Sequence, residues 1–229
     1  MNYQANLEQV THRIRAAEQR FKRSEGSVKL LAVSKTKPIE AVNALAELGQ
    51  TAFGENYLQE SLDKIAQRPD LEWHFIGPIQ SNKTKPIAEH FNWVQSVDRL
   101  KIAQRLSRQR PPELPALNIL LQVNISQEDT KSGFSPQELL EQVEQVTQLP
   151  NLVLRGLMAI PKAETEFDQQ RAALAEMFDL FQQVKLKLRT PDFDTLSMGM
   201  SGDLEAAIAE GSTMVRIGTD LFGARNYAL

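Results

Sequence analysis

The chain contains no cysteine. This absence excludes disulfides, thiolate nucleophiles and cysteine-ligated metal sites, and it is compatible with a reducing compartment. Histidine is scarce as well, and His12 and His90 fall on predicted helices without a partner at metal-ligand spacing, so we predict no metal site. The formal net charge is only −3. A surface of that charge does not attract phosphate backbones, so we expect no nucleic-acid partner.

Long hydrophobic runs are also missing. No segment approaches the roughly 18 consecutive apolar residues that a membrane span needs, and residues 1–25 lack the apolar stretch of a signal peptide. We therefore expect no membrane partner and a cytoplasmic location. Hydrophobic residues still make up 41% of the 229 residues, which is enough for a sizeable core.

Short apolar runs alternate with amphipathic segments along the chain. Apolar residues at spacings of three and four, from Leu7 to Phe21, predict an N-terminal helix over about residues 4–24. Eight short apolar runs follow and predict strands, the strongest being ALNILLQVN at 116–124. A helical pattern follows at least the first seven of these runs.

This strict alternation predicts parallel strands joined by right-handed crossovers. Eight such units close into a (β/α)8 TIM barrel, for which about 200 residues is the lower end of the range. An open, doubly wound sheet is the alternative, but no Gly-x-Gly-x-x-Gly motif follows the first strand. Since no linker or low-complexity segment interrupts the pattern, we expect residues 1–229 to form one domain.

The first predicted strand ends at a lysine. In a parallel barrel the chemistry lies at the C-terminal ends of the strands, and LLAVSKTKP at 30–38 puts Lys35 there. An amine held in a partly dry site is nucleophilic toward an aldehyde. The alternative is a lysine that extends from the barrel mouth into solvent. We expect Lys37, two residues on, to lie at the surface.

Two glycine-bearing loops follow the seventh and eighth predicted strands. LSMGMSGDLEAA at 196–207 contains Ser201, and VRIGTDLFGARN at 215–226 contains Gly218 and Thr219. Backbone N–H groups near glycine bind anions, and barrels often bind phosphate with these two loops. The alternative is that Ser201 only caps a helix. The two loops together indicate a phosphate site.

Other polar residues at strand ends are candidates for ligand contacts. Arg216 interrupts the apolar run VRIG, so we expect its guanidinium to point into the barrel, either toward a ligand or in an ion pair with Glu55. Asn56 and His74 end the second and third strands. His74 is interpreted as a hydrogen-bonded core residue rather than a general base, and Met158 fits either a core position or a ring contact.

Together these residues resemble the pyridoxal phosphate homeostasis protein family, whose members are fold-type III barrels that bind pyridoxal phosphate. The resemblance implies a fold similar to the N-terminal domain of alanine racemase, with pyridoxal 5'-phosphate as the cofactor. Its last matching segment is long and highly specific. The matching segments span nearly the whole chain: LLAVSKTKP, FGENYLQE, WHFIGPIQSNK, VQSVD, RGLMAI and LSMGMSGDLEAAIAEGSTMVRIGTDLFGARNY.

The resemblance also implies roles for single residues. Lys35 would hold the cofactor aldehyde as a Schiff base, and Arg216 would meet the pyridine nitrogen. The phosphate would be held by the backbone of SMGMS with Ser201, Gly218 and Thr219. The residues expected around the ring are Asn56, His74, Met158, Ser197 and Met200.

The expected function is binding of pyridoxal phosphate in its intracellular homeostasis, without efficient catalysis. Arginine can only donate to the pyridine nitrogen, which keeps that nitrogen unprotonated and makes the cofactor a weak electron sink. Alanine racemase, which this fold resembles, needs a second domain and a partner tyrosine as the opposite base. One barrel uses the whole chain, and neither Tyr57 nor Tyr227 has an evident activating partner. We therefore predict that the protein is not an enzyme.

Two other functions are compatible with these residues. One is a pyridoxal-phosphate-dependent amino-acid racemase, and the other is a barrel that binds a sugar phosphate and forms an aldolase-type imine at Lys35. The expected partners are the small-molecule cofactor and apoenzymes that depend on it. Without the second domain of the racemases the usual dimer-forming surface is missing, so we expect a monomer.

Overall fold

The fold is a closed barrel. A computed structural model describes residues 1–126 and 132–223. Within these ranges eight parallel strands follow one another around the barrel in chain order, and the last pairs with the first. The predicted (β/α)8 barrel is thereby confirmed, and the open sheet is wrong. The strands are β1 (Lys29–Val33), β2 (Ala52–Glu55), β3 (Glu72–Phe75), β4 (Trp93–Val97), β5 (Leu117–Val123), β6 (Leu152–Ala159), β7 (Thr195–Ser197) and β8 (Met214–Ile217).

Helices surround the barrel. The N-terminal helix ends at Arg20, earlier than predicted, and Lys22 just beyond it has a left-handed backbone with φ 55°. The one-turn helix after β8 was not predicted, because four residues show no amphipathic period. The helices are α1 (Tyr3–Arg20), α2 (Ile39–Glu47), α3 (Leu58–Gln67), α4 (Thr84–His90), α5 (Leu100–Gln109), α6 (Pro136–Thr147), α7 (Phe167–Leu188), α8 (Leu204–Ala209) and α9 (Thr219–Phe222).

The main hydrophobic core lies between the strands and the helices. The rings of Phe53 and Trp73, on the outer faces of β2 and β3, lie 5.7 Å apart, and both side chains are buried. Successive residues of a strand point to opposite faces of the sheet. The residues on either side of Phe53 and Trp73 in the sequence therefore point into the barrel. A small second cluster is formed by Trp93, Leu120 and Met158. Polar side chains such as Gln95 and His74 are also buried in the barrel interior.

Membrane-spanning helices and metal-binding clusters are both absent from the described residues. Among the described residues, no helix is both long enough and apolar enough to cross a bilayer. The longest one, α7, carries charges such as Asp168 and Lys185. In the same part of the chain, no three His, Asp or Glu side chains are grouped so that they could hold a metal ion.

Candidate functional site

A cavity of about 250 Å³ opens at the C-terminal ends of the strands. Residues from β1, β2, β3, β6, β7 and β8 or the loops after them meet there, so the barrel brings both ends of the sequence to one site. Eight of the ten predicted site residues line this cavity: Lys35, Asn56, Met158, Met200, Ser201, Arg216, Gly218 and Thr219. Val33, Ile76, Ile160 and Gly202 complete its lining.

Lys35 lies just beyond the end of β1, and its side chain is half-buried. The residue before it, Ser34, is fixed twice: its Oγ donates to Glu55 Oε1 at 2.6 Å, and its carbonyl accepts from Lys64 Nζ at 2.8 Å. Both partners are buried. The backbone on the N-terminal side of Lys35 is therefore held rigidly.

The residue after Lys35 is fixed as well. Thr36 has a left-handed backbone, with φ 63°, which is costly for a β-branched residue. Its N–H donates to Glu60 Oε1 at 2.7 Å, and Glu60 in turn pairs with Lys64 Nζ at 2.6 Å. The same buried lysine thus supports both neighbours of Lys35.

Glu55, Glu60 and Lys64 form a charge cluster that sequence analysis did not find. Lys64 Nζ lies 2.7 Å from Glu55 Oε1, and Glu55 Oε2 has no hydrogen-bond partner among the described residues. Burial raises the pKa of Glu55, although Lys64 opposes this. One sequence pattern could have revealed this cluster: a glutamate at a strand end, followed by a Glu–Lys pair at i, i+4 on the next helix.

The two glycine-bearing loops face the same cavity. No described acceptor bonds to the backbone N–H groups of Ser201, Gly202, Gly218 and Thr219. A side chain at Gly218 would place its Cβ 3.3 Å from the carbonyl oxygen of Val33, so the loop after β8 lies close against β1. These four N–H groups are available to an anion.

The alternative role for Ser201, as a helix cap, is wrong. The residue that precedes α8 is Asp203, and its Oδ1 accepts from the N–H of Met200 at 2.6 Å. Asp203 thereby closes the loop on itself and leaves Ser201 at the cavity.

Arg13, on α1, ties the two loops together. Its guanidinium donates to the carbonyl of Ser201 at 3.0 Å, to Asp220 Oδ2 at 2.6 Å and to both carboxylate oxygens of Glu205. Ser201 belongs to the loop after β7, whereas Asp220 lies on α9 after β8. Hydrogen bonding to Glu205 raises the pKa of Arg13. Arg13 could not be predicted from the sequence, because it lies nearly 200 positions before its partners and no local pattern marks it.

Arg216 points into the barrel and lines the cavity. Its side chain is buried, and within the described residues two hydrogen bonds hold it: Nη1 donates to Ser197 Oγ at 2.8 Å, and Nη2 donates to the carbonyl of Ala159 at 2.9 Å. Burial lowers the pKa of Arg216 to about 10, although Asp203 opposes this, so the group is protonated at neutral pH. The predicted alternative, an ion pair with Glu55, is wrong, because Glu55 pairs with Lys64. The remaining N–H groups of Arg216 have no described acceptor.

Two residues expected around the ring, His74 and Ser197, do not line the cavity. Both are fully buried, because their side chains point into the barrel interior beneath Arg216. His74 stacks on Trp93, with ring centroids 5.1 Å apart, and burial lowers the pKa of its imidazole. His74 is therefore neutral, in agreement with its interpretation as a hydrogen-bonded core residue.

The remaining predicted residues differ in exposure. Asn56 Oδ1 is buried and has no hydrogen-bond partner within the described ranges, so it is available to a ligand donor. Met158 is fully buried, whereas Met200 is 40% exposed at the cavity mouth. Tyr57 is exposed and does not line the cavity. Tyr227 lies outside the described residues.

Comparisons with known proteins first define the class of the fold. The family model for the N-terminal domain of alanine racemase matches residues 5–226. The solved alanine racemase of Clostridium difficile 630 superimposes with a TM-score of 0.72 at 16% identity, covering 99% of this chain and 58% of the racemase. The chain therefore has the fold of the barrel domain of alanine racemases.

Relatives of higher identity define the family. PipY of Synechococcus elongatus, solved with pyridoxal phosphate bound, is 35% identical with a TM-score of 0.80, over 91% of this chain and 98% of PipY. The pyridoxal phosphate homeostasis protein of Pseudomonas aeruginosa is 60% identical over 97% of this chain and 95% of its own. That of Escherichia coli K12 is 54% identical over 97% of each chain. The chain belongs to the pyridoxal phosphate homeostasis protein family.

Proposed function

We propose that this protein binds pyridoxal 5'-phosphate at the barrel mouth and takes part in the intracellular homeostasis of that cofactor. One observation carries the proposal: a single cavity is lined by an amine, by backbone N–H groups of two loops, and by a buried guanidinium. Those backbone N–H groups, and the N–H groups of the guanidinium that do not bond to Ser197 or Ala159, have no acceptor among the described residues. Pyridoxal phosphate has a matching group for each of these features: an aldehyde for the amine, a phosphate dianion for the backbone N–H groups and a pyridine nitrogen for the guanidinium. The PipY structure with pyridoxal phosphate bound supports this assignment.

The residues present fit the cofactor. Its aldehyde condenses with a primary amine with loss of water, and Lys35 is the amine on the cavity. Ser201, Gly218 and Thr219 would hold the phosphate together with the N–H of Gly202. Arg216 would donate to the pyridine nitrogen, since it cannot accept a proton.

Three further residues would surround the ring. Met158 and Met200 offer apolar contacts, one from the buried side and one from the mouth. Asn56 Oδ1 would accept a hydrogen bond from the ligand, which removes the cost of an unpaired buried oxygen. His74 and Ser197 would act through Arg216 rather than on the ring.

We also propose that the protein is not an efficient enzyme. Within the described ranges, Lys35 and Arg216 are the only ionisable side chains that line the cavity, so no second base lines it there. Asp98 lines an adjoining cavity that shares Asn56, Ile76 and Ile160 with this one. Turnover of amino acids at about 1 s⁻¹ or more, followed by chirality and amino transfer, would contradict this and favour a racemase. Three expectations stay predictions: transfer of the cofactor to apoenzymes, a monomeric state and a cytoplasmic location.

The experiment that tests cofactor binding is an absorbance spectrum of the protein as purified and after addition of pyridoxal phosphate, before and after borohydride. We expect a visible band that borohydride removes, together with a mass increase on the peptide that contains Lys35. Absence of both the band and the adduct would contradict the proposal. An adduct formed with a sugar-phosphate aldehyde, and not with pyridoxal phosphate, would favour the aldolase-type alternative.

A further inference from the structure

A row of polar side chains crosses the barrel interior from the cavity toward the opposite end. Arg216 lines the cavity, and Glu72, at the start of β3, has a side chain that is 46% exposed at the N-terminal end of the barrel. Between them lie Ser197, Gln95 and His74, all fully buried. A buried polar row of this kind is costly unless every member is hydrogen-bonded.

Four hydrogen bonds connect the row without a gap. Arg216 Nη1 lies 2.8 Å from Ser197 Oγ, and Ser197 Oγ lies 2.7 Å from Gln95 Oε1. Gln95 Nε2 lies 2.9 Å from His74 Nδ1, and His74 Nε2 lies 2.8 Å from Glu72 Oε1.

The two ends of the row, together with the orientation of the Gln95 amide, fix the direction of every bond. A guanidinium only donates, so Ser197 Oγ accepts from Arg216 and directs its own O–H to Gln95 Oε1. The amide NH₂ of Gln95 then faces His74, so Nδ1 must accept. The proton of the neutral imidazole is therefore on Nε2, where it is donated to the carboxylate of Glu72, which only accepts. All four bonds run in one sense, from a cation to an anion.

This direction requires a neutral imidazole. A second proton on His74 would place Nδ1–H against the amide NH₂ of Gln95. The burial that lowers the pKa of His74 therefore agrees with the geometry. The charged groups that face this end of the row are Glu72, Lys29 and Arg155, whose guanidinium lies 4.9 Å from the ring centroid of Trp93.

We propose that Glu72, His74, Gln95 and Ser197 are positioning residues that hold the Arg216 guanidinium in one orientation at the cavity, so that a change at the far end of the barrel alters ligand binding at its mouth. None of the four lines the cavity. The proposal rests on the proposed function, because it takes the ligand on Arg216 to be pyridoxal phosphate.

The first experiment needs no ligand. Nitrogen-15 NMR of the histidine side chains in the full-length protein distinguishes the two imidazole tautomers, and the signals of only three histidines have to be separated. The His74 signal is assigned by its loss in the His74→Gln variant, and the exposed His12 and His90 serve as references. We expect a neutral His74 with its proton on Nε2 at pH 7. A proton on Nδ1, or a doubly protonated ring, would overturn the proposal.

The second experiment compares Glu72→Gln with Glu72→Lys. The Glu72 side chain is about half exposed, so both variants are expected to fold, and their melting temperatures verify this. Glutamine still offers an oxygen to His74 Nε2–H, whereas lysine offers only donors. With lysine, His74 must move its proton to Nδ1 and Gln95 must turn, which leaves the O–H of Ser197 without its acceptor.

We expect the dissociation constant for pyridoxal phosphate to rise about tenfold in Glu72→Lys, as for one lost buried hydrogen bond, and by less than about twofold in Glu72→Gln. The His74 tautomer should change only in the lysine variant. General electrostatics predict the opposite change in affinity, because replacing an anion by a cation strengthens the binding of a dianion. Equal affinities in the two variants, or tighter binding in Glu72→Lys, would overturn the proposal.

The wild-type protein in the same titration separates the two proposals. If it takes up no pyridoxal phosphate, the proposed function fails, and the ligand role of the row fails with it. If it binds normally while both Glu72 variants match it, only the positioning role fails.

Discussion

Lys35 differs from a solvent-exposed lysine in how firmly its backbone is held. Ser34 and Thr36 are both bonded to carboxylates, and one buried lysine supports both carboxylates. Because the backbone that carries the amine is already ordered, covalent capture of an aldehyde costs less entropy than it would at a lysine on a loosely held segment.

Replacing Lys35 by Ala should abolish the borohydride-trapped adduct and leave the fold unchanged, because the side chain is only half-buried and fills no core position. Mass spectrometry measures the adduct, and circular dichroism checks the fold. The matched control is Lys37→Ala. Lys37 Nζ donates to the carbonyls of Phe222 and Gly223, so it is a structural tie, and its loss should leave the adduct in place. An undiminished adduct in Lys35→Ala would show that a different lysine binds the aldehyde.

Replacing Lys64 by Met should lower the free energy of unfolding by about 3 kcal/mol or more, because it leaves Glu55 as a buried carboxyl without its cation. Chemical denaturation measures the change. The double variant Glu55→Gln/Lys64→Met removes both charges and should recover much of the loss. Equal destabilisation in the single and double variants would show that lost packing, rather than an unpaired charge, is responsible.

For single residues, the sequence predicted which of them lie at the cavity better than it predicted what each one contacts. Lys35, Ser201, Arg216 and Gly218 follow from their positions at strand ends, because a parallel barrel collects all its strand ends on one face. The partners of His74 and Ser197 depend on the register of strands distant in the sequence, which no local pattern encodes. No sequence pattern marks the burial of Lys64, since that burial depends on how α3 is rotated against β2.

Among the elements, α1 contributes to the site without lining it. Arg13 joins the loop after β7 to the helix after β8 and also neutralises Glu205 and Asp220, two acidic residues close to the anion-binding loops. The sequence predicted α1 from its apolar face. It did not predict this contact, which depends on the polar face of the helix meeting the two loops.

Replacing Arg13 by Ala should weaken the binding of pyridoxal phosphate by about 1 kcal/mol, a roughly fivefold loss of affinity, because two carboxylates would then repel the phosphate through partly screened solvent. Absorbance titration measures the affinity. His12→Ala, an exposed neighbour on the same helix, is the control. The difference in affinity between the wild-type protein and Arg13→Ala should become smaller as the salt concentration is raised. A difference that does not depend on salt would instead indicate that the loops become disordered without Arg13.

For the molecule as a whole, barrel closure places polar groups in the interior, and this makes stability depend on pH. Burial lowers the pKa of His74, and the hydrogen bond from His74 is the main cause that lowers the pKa of Glu72. Below the ordinary histidine pKa of 6.5 the unfolded chain binds a proton that the folded chain does not, so stability is lost as pH falls.

We therefore expect the free energy of unfolding to decrease from pH 6.5 toward pH 5, with His74 alone contributing up to about 1.4 kcal/mol per pH unit. Urea denaturation at several pH values measures this. His74→Gln should have a flatter profile in that window. Glu55, whose pKa is raised by burial, acts in the opposite direction in both proteins, so the comparison isolates His74 together with Glu72, whose pKa His74 lowers. Parallel profiles for the two proteins would contradict the expectation.

The pairing of β1 with β8 has a consequence for biosynthesis. Lys35 leaves the ribosome long before the strand that carries Arg216. At about 5–20 residues per second, the nascent chain bears the reactive amine for on the order of ten to forty seconds before the anion-binding loops exist. Any molecule that needs both halves of the cavity must therefore be acquired after translation has passed β8, by a barrel that is already closing.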